Sequence, residues 1–421
     1  MATVTISVAD TCVAAKRASR VLGTLGSGVK NAALHAIADS LADHTAAILE
    51  ANRLDLEAGR EAGLTAALLD RLALDEYRVA EIAAGVRKIA SLPDPVGEVI
   101  EGFRLPNGLD VRKVRVPLGV VAVVYEARPN VTIDAAALCL KSGNAIVLRG
   151  SSSAAQSNAA LASIASEAAT SAGLPAGALS LVGGGGREEL AELATQSGIV
   201  DLIIPRGGEG LKAALKGVAT VPVIYAASGN CHVYVDASAD LKAAEAIVLN
   251  AKLQRPGVCN AAETLLVHAD VADTFLPRAL AALSEAGVAL HGDDRARAAA
   301  PRVPIDPASD EDWDTEYLAL ELAVGVVESV TEAIAHINAH ASGHSEAIVT
   351  TDTTSARAFQ LGVDAACVYV NASTRFTDGG EFGMGAEIGN STQKLHARGP
   401  IGMRELCTFK YLVEGTGQIR P

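Results

Sequence analysis

The sequence predicts an α/β protein with two parallel-sheet domains and a small strand-rich flap. From residue 116 onward, short apolar strands alternate with helical stretches in two consecutive blocks. Uninterrupted apolar strands that alternate with helices are typical of parallel sheets covered on both faces. At 421 residues the chain is too long for one ordinary core, so two or three domains are expected.

Helical spacing dominates the N-terminal part of the chain, as far as Leu92. Small and apolar residues recur at that spacing over 29–52, and a set of apolar residues shares one helix face within 75–92. Pro93 and Pro95 end this region, since proline does not continue a helix.

A hairpin is predicted next. The alternating segments 99–104 and 109–116 flank Asn107-Gly108, and an Asn-Gly pair between alternating runs is a strong hairpin signal. Its many charges favour a ribbon that stands off the main core, either paired with another subunit or as a plain surface hairpin. A late strand at 408–413 has no helix after it and would pair with the hairpin of a neighbouring subunit.

The two α/β blocks divide near Ser228-Gly229-Asn230, and helical stretches such as 154–172 and 188–195 separate the strands of the first block. The predicted strands lie at 120–125, 145–148, 179–182, 201–204 and 221–226 in the first block, and at 232–235, 264–267, 324–327, 347–350 and 367–370 in the second. This alternation is typical of nucleotide-binding domains.

Composition and charge exclude several function classes. The formal net charge is −14, whereas a general nucleic-acid surface needs a basic field. The six cysteines form no Cys-x-x-Cys pair, which predicts neither a metal site nor a disulfide framework. The N-terminus lacks the blocks of a signal peptide, and the apolar runs are far shorter than a membrane span. We therefore expect a cytoplasmic protein that binds neither nucleic acid nor membrane.

A candidate nucleophile lies in the segment 254–260, Gln-Arg-Pro-Gly-Val-Cys-Asn. Pro256-Gly257 permits a sharp bend, which would hold the thiol of Cys259 at the floor of a cleft before the strand at 264–267. Arg255 would favour the thiolate, which is the nucleophilic form. The alternative is a buried structural cysteine.

Two glycine-rich turns, at 183–186 and at Arg206-Gly207-Gly208, each follow an apolar strand and precede a helix. Backbone N–H groups at such a turn bind phosphate, although plain connections have the same pattern. The segment Arg149-Gly150-Ser151-Ser152-Ser153, at the end of a strand, is a more specific signal for a cofactor site. A cation and hydroxyl donors, with no acid in that segment, suit the 2′-phosphate of NADP, and the alternative is a solvated arginine.

Arg128-Pro129-Asn130 follows the strand at 120–125. The amide of Asn130 would face a developing oxyanion, although alone the segment is typical of a turn and helix cap. A pairing of Cys259 with one of the histidines lacks a protease signature, so the histidines are interpreted as structural or surface residues.

Taken in order, these motifs resemble the aldehyde dehydrogenase superfamily over essentially the whole chain, and within it the branch that reduces a glutamyl phosphate. The resemblance rests on 116–121 (Val-Pro-Leu-Gly-Val-Val), 125–132 (Tyr-Glu-Ala-Arg-Pro-Asn-Val-Thr), 141–145, 201–208, 254–260, 370–376 and 382–389. It implies an aldehyde-dehydrogenase-like fold with two Rossmann-like α/β domains and a small β oligomerisation flap. The implied domains are 1–102, 117–228 and 371–392 for NADP binding, 229–370 for catalysis, and 103–116 with 393–421 for the flap.

The resemblance also implies residue roles. Cys259 falls on the family's nucleophile and Asn130 on its oxyanion amide, while Glu316 is similar to the glutamate that binds the nicotinamide ribose. The implied cofactor is NADP(H), held by Glu316, Arg206-Gly207-Gly208 and the segment 149–153. Candidate ligands for the substrate's phosphate and carboxylate are Arg255, Arg375, Thr374 and Arg128.

One departure from the broad superfamily bears on the reaction. Hydrolytic members carry a general-base glutamate, whereas no acid lies between Gly210 and Val235 here. The resemblance therefore implies NADPH-dependent reduction of L-glutamyl 5-phosphate to L-glutamate 5-semialdehyde in proline biosynthesis, by a homo-oligomer (dimer or tetramer) and with glutamate 5-kinase as a candidate partner. The alternatives are a hydrolytic NAD(P)-dependent semialdehyde dehydrogenase and a non-redox thiol acyltransferase or binding protein.

Overall fold

A computed structural model describes residues 7–183, 186–225 and 228–420. The helices are α1 Val8–Leu22, α2 Ser27–Asp43, α3 Thr45–Glu61, α4 Ala66–Leu72, α5 Glu76–Ser91, α6 Asn130–Lys141, α7 Ala155–Ser171, α8 Arg187–Ala194, α9 Glu209–Val218, α10 Leu241–Leu253, α11 Ala269–Glu285, α12 Asp294–Ala299, α13 Asp310–Asp314, α14 Val330–His340 and α15 Thr353–Gly362. The strands are β1 Val99–Arg104, β2 Asp110–Pro117, β3 Val120–Tyr125, β4 Ala145–Arg149, β5 Leu179–Leu181, β6 Leu202–Arg206, β7 Cys231–Val235, β8 Ala262–His268, β9 Ala289–Gly292, β10 Asp306–Pro307, β11 Glu321–Val327, β12 Ser345–Val349, β13 Cys367–Val370, β14 Asn390–Ser391, β15 Gly399–Pro400 and β16 Cys407–Glu414.

The chain folds into two compact units. Unit 1 holds the described residues up to Tyr225, together with Met384–Gly389 and 401–420. Unit 2 holds 228–383 and Asn390–Pro400. The predicted α/β class is confirmed, whereas the division by function stays a prediction. The structure differs from that division in placing 371–383 and 390–400 with unit 2. The first of these segments is held there because Asn260 donates hydrogen bonds to the carbonyl groups of Arg375 and Thr377.

Unit 1 is built on a parallel sheet with strand order β5-β4-β3-β6. Every residue of β3 is buried, as the apolar run at 120–125 predicts for a strand covered on both faces. Helices α1, α6 and α7 contact this sheet, and α2 packs between α5 and α7. The carboxyl ends of β3, β4 and β6 meet at one edge, where Val124 pairs with Arg149 and Tyr125 with Arg206.

A separate antiparallel sheet, the flap β1-β2-β16, also belongs to unit 1. The hairpin is confirmed, but the late strand pairs with β2 of its own chain, from Cys407 opposite Pro117 to Glu414 opposite Asp110. The predicted pairing of this strand with the hairpin of a neighbouring subunit is therefore wrong for the β2 edge, because β16 of the same chain occupies that edge. The flap exposes large apolar side chains, which are Val99, Ile100, Phe103, Phe409, Tyr411 and Val413.

Unit 2 is built on a parallel sheet with strand order β10-β9-β11-β8-β7-β12-β13. One apolar cluster includes Phe275 and Leu276 of α11 with β8, and another includes Phe359 of α15 with Tyr234 of β7. All these strands run in one direction, so the segments that enter β7 and β8 lie at the same edge.

Three local expectations differ from the structure. The helix predicted over 29–52 breaks at His44, where the His44 Nδ1 lies 2.8 Å from the Ser40 carbonyl and the Thr45 hydroxyl donates to the Ala42 carbonyl. Such side-chain contacts compete with helix hydrogen bonds. The strand predicted at 221–226 is reduced to one bridge between Val223 and Ile203, beside a proline that has no N–H, and residue 226 lies outside the described residues. The short strands β9 and β10 were missed, because two to four residues give little periodicity.

The described helices include none that is long and apolar enough to cross a membrane.

Candidate functional site

The cofactor candidates of unit 1 gather at the carboxyl edge of its sheet. Arg149 ends β4, Arg206 ends β6, and the Glu126 N–H that follows β3 donates to the Arg206 carbonyl at 3.2 Å. The Gly208 N–H in turn donates to the Glu126 carboxylate at 3.1 Å. In open parallel sheets ligands bind outside the carboxyl ends of strands, so the fold brings the predicted cofactor residues to the place that such a ligand needs.

The serines next to Arg149 are accessible to a ligand. Ser152 is exposed and Ser151 and Ser153 are half-buried, and the hydroxyls of these last two lie 2.7 Å apart. Gly150 is needed at this bend, since an added Cβ would overlap the Asn158 side chain and lie 3.3 Å from the Tyr125 ring. The three serines lie just before α7, and a helix N-terminus is a suitable end for an anion.

Arg149 itself has two acceptor groups close to its guanidinium. Its Nη2 donates to the Gly186 carbonyl at 3.2 Å, and its Nε lies 3.5 Å from the Glu189 carboxylate. Both side chains are largely buried. The segment 149–153 itself contains no acid, but Glu189 approaches from α8, forty residues later in the chain. The pair therefore offers two functions. Glu189 supplies an acceptor for ribose hydroxyls, and Arg149 supplies a cation for a 2′-phosphate.

Asn130 begins α6 in an exposed position, and its amide donates to the Asp134 carboxylate at 2.9 Å. Burial raises the pKa of Asp134 to about 6, against the opposing effects of the Asn130 hydrogen bond and of Arg206. An amide group has two N–H donors, so one of them can serve another acceptor while Asp134 fixes the orientation. The first turn of α6 is held by the buried Thr132 hydroxyl, which lies 2.7 Å from the Tyr125 hydroxyl.

In unit 2, Cys259 lies in the loop 254–261 between α10 and β8, hereafter the Cys259 loop. Its side chain is half-buried, whereas the other five cysteines are buried. Asn260 is buried and donates to the Thr377 carbonyl at 2.9 Å, while the Thr374 hydroxyl donates to the Asn260 carbonyl at 2.7 Å. These reciprocal hydrogen bonds hold the loop against 373–377. Thr374, predicted to contact the substrate, is fully buried and makes this loop contact.

The other side of the Cys259 loop rests on Gly229. A Cβ added at Gly229 would overlap the carbonyl group of Cys259, so the two backbones are in direct contact. The Gly229 N–H donates to the Glu316 carboxylate at 2.6 Å, and the Cys231 thiol donates to the Cys259 carbonyl at 3.2 Å. The structure therefore brings Glu316, which was predicted to bind the nicotinamide ribose, to the loop that carries the thiol.

One arginine, Arg375, interacts electrostatically with this thiol, and Arg255 interacts with Arg375. The Arg375 Nε donates to the Gln254 side chain at 2.8 Å. Burial and then Arg255 lower the pKa of Arg375, while Cys259 and Asp378 act in the opposite direction. Cys259 is thus within electrostatic range of a guanidinium, which favours the thiolate form of a cysteine. Arg255 is exposed at the start of the loop.

Sequence reasoning missed Glu189, Gly229 and a buried ion pair between Lys252 and Glu263. Only the ion pair had a readable signal, because a lysine and a glutamate interrupt the apolar runs on either side of Cys259. Within the described ranges, no group of three or more His, Cys, Asp or Glu side chains has an arrangement that would hold a metal ion.

The chain matches the aldehyde dehydrogenase family model over residues 5–304. It is 56% identical over 406 residues to the gamma-glutamyl phosphate reductase of Moorella thermoacetica, covering 96% of this chain and 97% of that protein. It is 54% identical to the enzyme of the same name from Thermobifida fusca, with the same coverage. The crystal structure of gamma-glutamyl phosphate reductase from Thermotoga maritima is similar with a TM-score of 0.95 at 46% identity, covering 98% of this chain and 99% of that one.

Proposed function

This chain belongs to the aldehyde dehydrogenase family, and we propose that it reduces L-glutamyl 5-phosphate to L-glutamate 5-semialdehyde and phosphate, with NADPH, through a thioester on Cys259. The resemblance inferred from the motifs is confirmed by the family match and by the relatives' names. One observation carries the choice within the family, which is 56% identity over nearly the full length of a gamma-glutamyl phosphate reductase. The reaction is the second step of proline biosynthesis.

The thiol of Cys259 is the proposed nucleophile. It attacks the acyl carbon, and the Cys259 N–H and the Asn130 amide stabilise the oxyanion that forms. Phosphate leaves as the carbonyl reforms, and the product of this step is a thioester. NADPH, when bound, supplies the hydride that reduces the thioester carbon. The resulting thiohemiacetal collapses to the aldehyde and returns the thiolate, which Arg375 favours electrostatically. Arg255 is proposed to act in the same direction.

The absence of a nearby base supports phosphate over water as the acyl partner. No acid occurs between Gly210 and Val235, where the hydrolytic relatives carry theirs. Glu316 does approach the Cys259 loop, but its carboxylate accepts the Gly229 N–H at 2.6 Å. One of its oxygens is thus already engaged by a backbone donor, and the resemblance assigns Glu316 to the nicotinamide ribose and not to the activation of water.

The residues at the carboxyl edge of the unit 1 sheet fit a nicotinamide dinucleotide. Ser151, Ser152 and Ser153 offer hydroxyls, Gly207 and Gly208 offer backbone N–H groups, and Arg206 ends the adjacent strand. The preference for NADP is proposed to rest on Arg149, with Glu189 beside it setting how strong that preference is.

For the substrate's anionic groups we assign Arg255, Arg375 and Arg128, as the sequence predicts. Arg255 is exposed, and the other two are half-buried. Thr374 is proposed to act indirectly, by holding the loop through the Asn260 carbonyl.

The same proposal includes the assembly. The exposed apolar face of the flap supports a homo-oligomer, either a dimer or a tetramer, built through β1, β2 and β16. A labile acyl phosphate would favour direct delivery by glutamate 5-kinase, and cysteines kept as thiols suit a cytoplasmic location.

The reaction is tested in the reverse direction. Absorbance at 340 nm follows NADP reduction by glutamate semialdehyde, with and without phosphate, for the wild type, Cys259→Ala and Cys12→Ala. Cys12 is a matched control, since it is a buried thiol of α1. We expect phosphate-dependent turnover that Cys259→Ala abolishes and Cys12→Ala retains. Equal turnover without phosphate would assign hydrolysis instead, and an active Cys259→Ala would exclude the thioester.

A further inference from the structure

A buried ion pair closes the base of the Cys259 loop. Lys252 Nζ lies 2.5 Å from the Glu263 carboxylate, and both side chains are fully buried. Lys252 is in the last turn of α10 and Glu263 is the second residue of β8, so the pair joins the two elements that deliver and receive the loop. Burying two charges is expensive, and a well-packed apolar pair is often as stable. Stability alone therefore does not explain why charges occupy these positions.

The second carboxylate oxygen of Glu263 reaches a different segment. It accepts the Leu318 N–H at 3.3 Å. Leu318 has a φ of 53°, a left-handed conformation that is strained for a leucine and persists only where its surroundings hold it. The Lys252 Nζ also lies 6.0 Å from the centre of the Tyr317 ring. The ion pair thus fixes the residues that directly follow Glu316.

These contacts continue from the ion pair to the backbone of Cys259. Glu316 accepts the Gly229 N–H, and Gly229 lies in direct contact with the carbonyl group of Cys259. The Cys259 loop is therefore fixed directly at both of its ends by Lys252 and Glu263, and indirectly at its centre through Leu318, Glu316 and Gly229. All of these residues belong to unit 2.

We propose that Lys252 and Glu263 are positioning residues, whose buried pair sets the place of the Cys259 thiol and of the Glu316 carboxylate at the same time. The inference rests on the proposed function of Cys259 as the nucleophile. Neither residue touches the reacting atoms, and both act through the backbone of the loop and of 316–318. A displacement of about 1 Å at a reacting group costs about 100-fold in rate, so a pair that holds two such groups has a large effect on turnover.

The test separates the charge from the hydrogen bond. Glu263→Gln keeps an oxygen for the Leu318 N–H but loses the charge, and Glu263→Met loses both. The double variant Lys252→Met/Glu263→Gln leaves no unpaired buried charge, so it is the variant best suited to folding. The control pair is Lys30 with Asp94 of unit 1, which is also buried at 2.5 Å and is changed to Lys30→Met/Asp94→Asn.

Three quantities are measured on each purified full-length variant, namely kcat, the KM for each substrate, and the rate at which iodoacetamide alkylates Cys259. For the Lys252→Met/Glu263→Gln variant we expect kcat and the alkylation rate to fall by about 10- to 100-fold, with KM for phosphate nearly unchanged. Glu263→Gln should retain more activity than Glu263→Met. The control pair should lower thermal stability without changing kcat per folded enzyme.

A double variant with the kcat and alkylation rate of the wild type would overturn the proposal, as would an equal loss of kcat in the control pair. If the double variant does not fold, the more conservative Glu263→Asp is compared with wild type by the same alkylation rate, and an unchanged rate would also overturn it. Failure of the proposed function has a different signature, because Cys259→Ala would then remain active whatever the result for the ion pair.

Discussion

Gly229 offers the sharpest test of how the Cys259 loop is held. Gly229→Ala adds a single methyl group that would lie 2.6 Å from the Cα of Cys259 and nearer still to its carbonyl, whereas ordinary contacts begin at 3.4 Å. The φ of Gly229 is not in the left-handed region, so the perturbation is steric and not conformational. Either the loop or Gly229 must move, and the Gly229 hydrogen bond to Glu316 is displaced with it.

The required movement sets the expected size of the effect. Relieving the overlap takes a shift of roughly 1 Å or more, and a misplacement of that size costs about 100-fold in rate. We therefore expect kcat/KM to fall by about 100-fold, which is about 2.7 kcal/mol of lost transition-state stabilisation. The loss should appear mainly in kcat, because the exposed Arg255 is retained.

The assay is the phosphate-dependent reduction of NADP at 340 nm, accompanied by thermal unfolding to confirm that the variant is folded. Gly85→Ala is the matched control, since Gly85 lies inside α5 and an added Cβ meets no atom within 4 Å. Alanine is favoured over glycine within helices by about 1 kcal/mol, so the control should be at least as stable as wild type and fully active. A folded Gly229→Ala enzyme with wild-type kcat/KM would refute the inferred contact between Gly229 and the nucleophile.

The remaining predictions concern the cofactor, pH and assembly. Glu189→Gln should raise the preference for NADPH over NADH, and Arg149→Ala should lower it. Each change should alter the ratio of the kcat/KM values for the two cofactors by about 10-fold. Unchanged ratios would show that this pair does not determine the choice of cofactor. Burial lowers the pKa of His344 from 6.5 to about 4. Because His344 binds a proton more tightly in the unfolded chain than in the folded one, the stability of the protein should fall as the pH drops from about 6.5 towards 4. Thermal unfolding across that range should show a weaker pH dependence for His344→Gln, and identical curves would contradict this account. Tyr411→Lys/Val413→Lys places charges on the exposed face of β16 and should lower the mass measured by light scattering, whereas an unchanged mass would place the subunit interface elsewhere.

The sequence predicted structural features correctly where the residues of one short segment determine them. The strand at 120–125 is apolar throughout and forms the fully buried β3, and Asn107-Gly108 lies at the turn of the β1–β2 hairpin. The motif at 254–260 likewise identified the half-buried thiol of Cys259 before any fold was known. In each case the physical cause, burial on both faces or turn geometry, acts within a few residues.

The residues that sequence reasoning missed depend on contacts between distant segments. Glu189 approaches Arg149 of β4 from α8, and Gly229 meets Glu316 across 87 residues of chain. Tertiary contacts decided these two points, and no local pattern shows them. The segment 221–225 differs, because Pro222 lacks an N–H and was a local signal against a full strand, although the neighbouring residues are apolar.

The order in which unit 1 acquires its segments has a consequence for biosynthesis. Its flap is completed by β16, whereas β1 and β2 precede it in the chain by all the strands of the two large parallel sheets. During translation β2 therefore stays without its second neighbour until the strands of both large sheets have been synthesised. A stalled or prematurely terminated product would carry an unpaired strand edge beside exposed valine and phenylalanine side chains, which is a template for aggregation. Fusion partners and affinity tags placed after β16 are accordingly better tolerated when a spacer separates them from this strand.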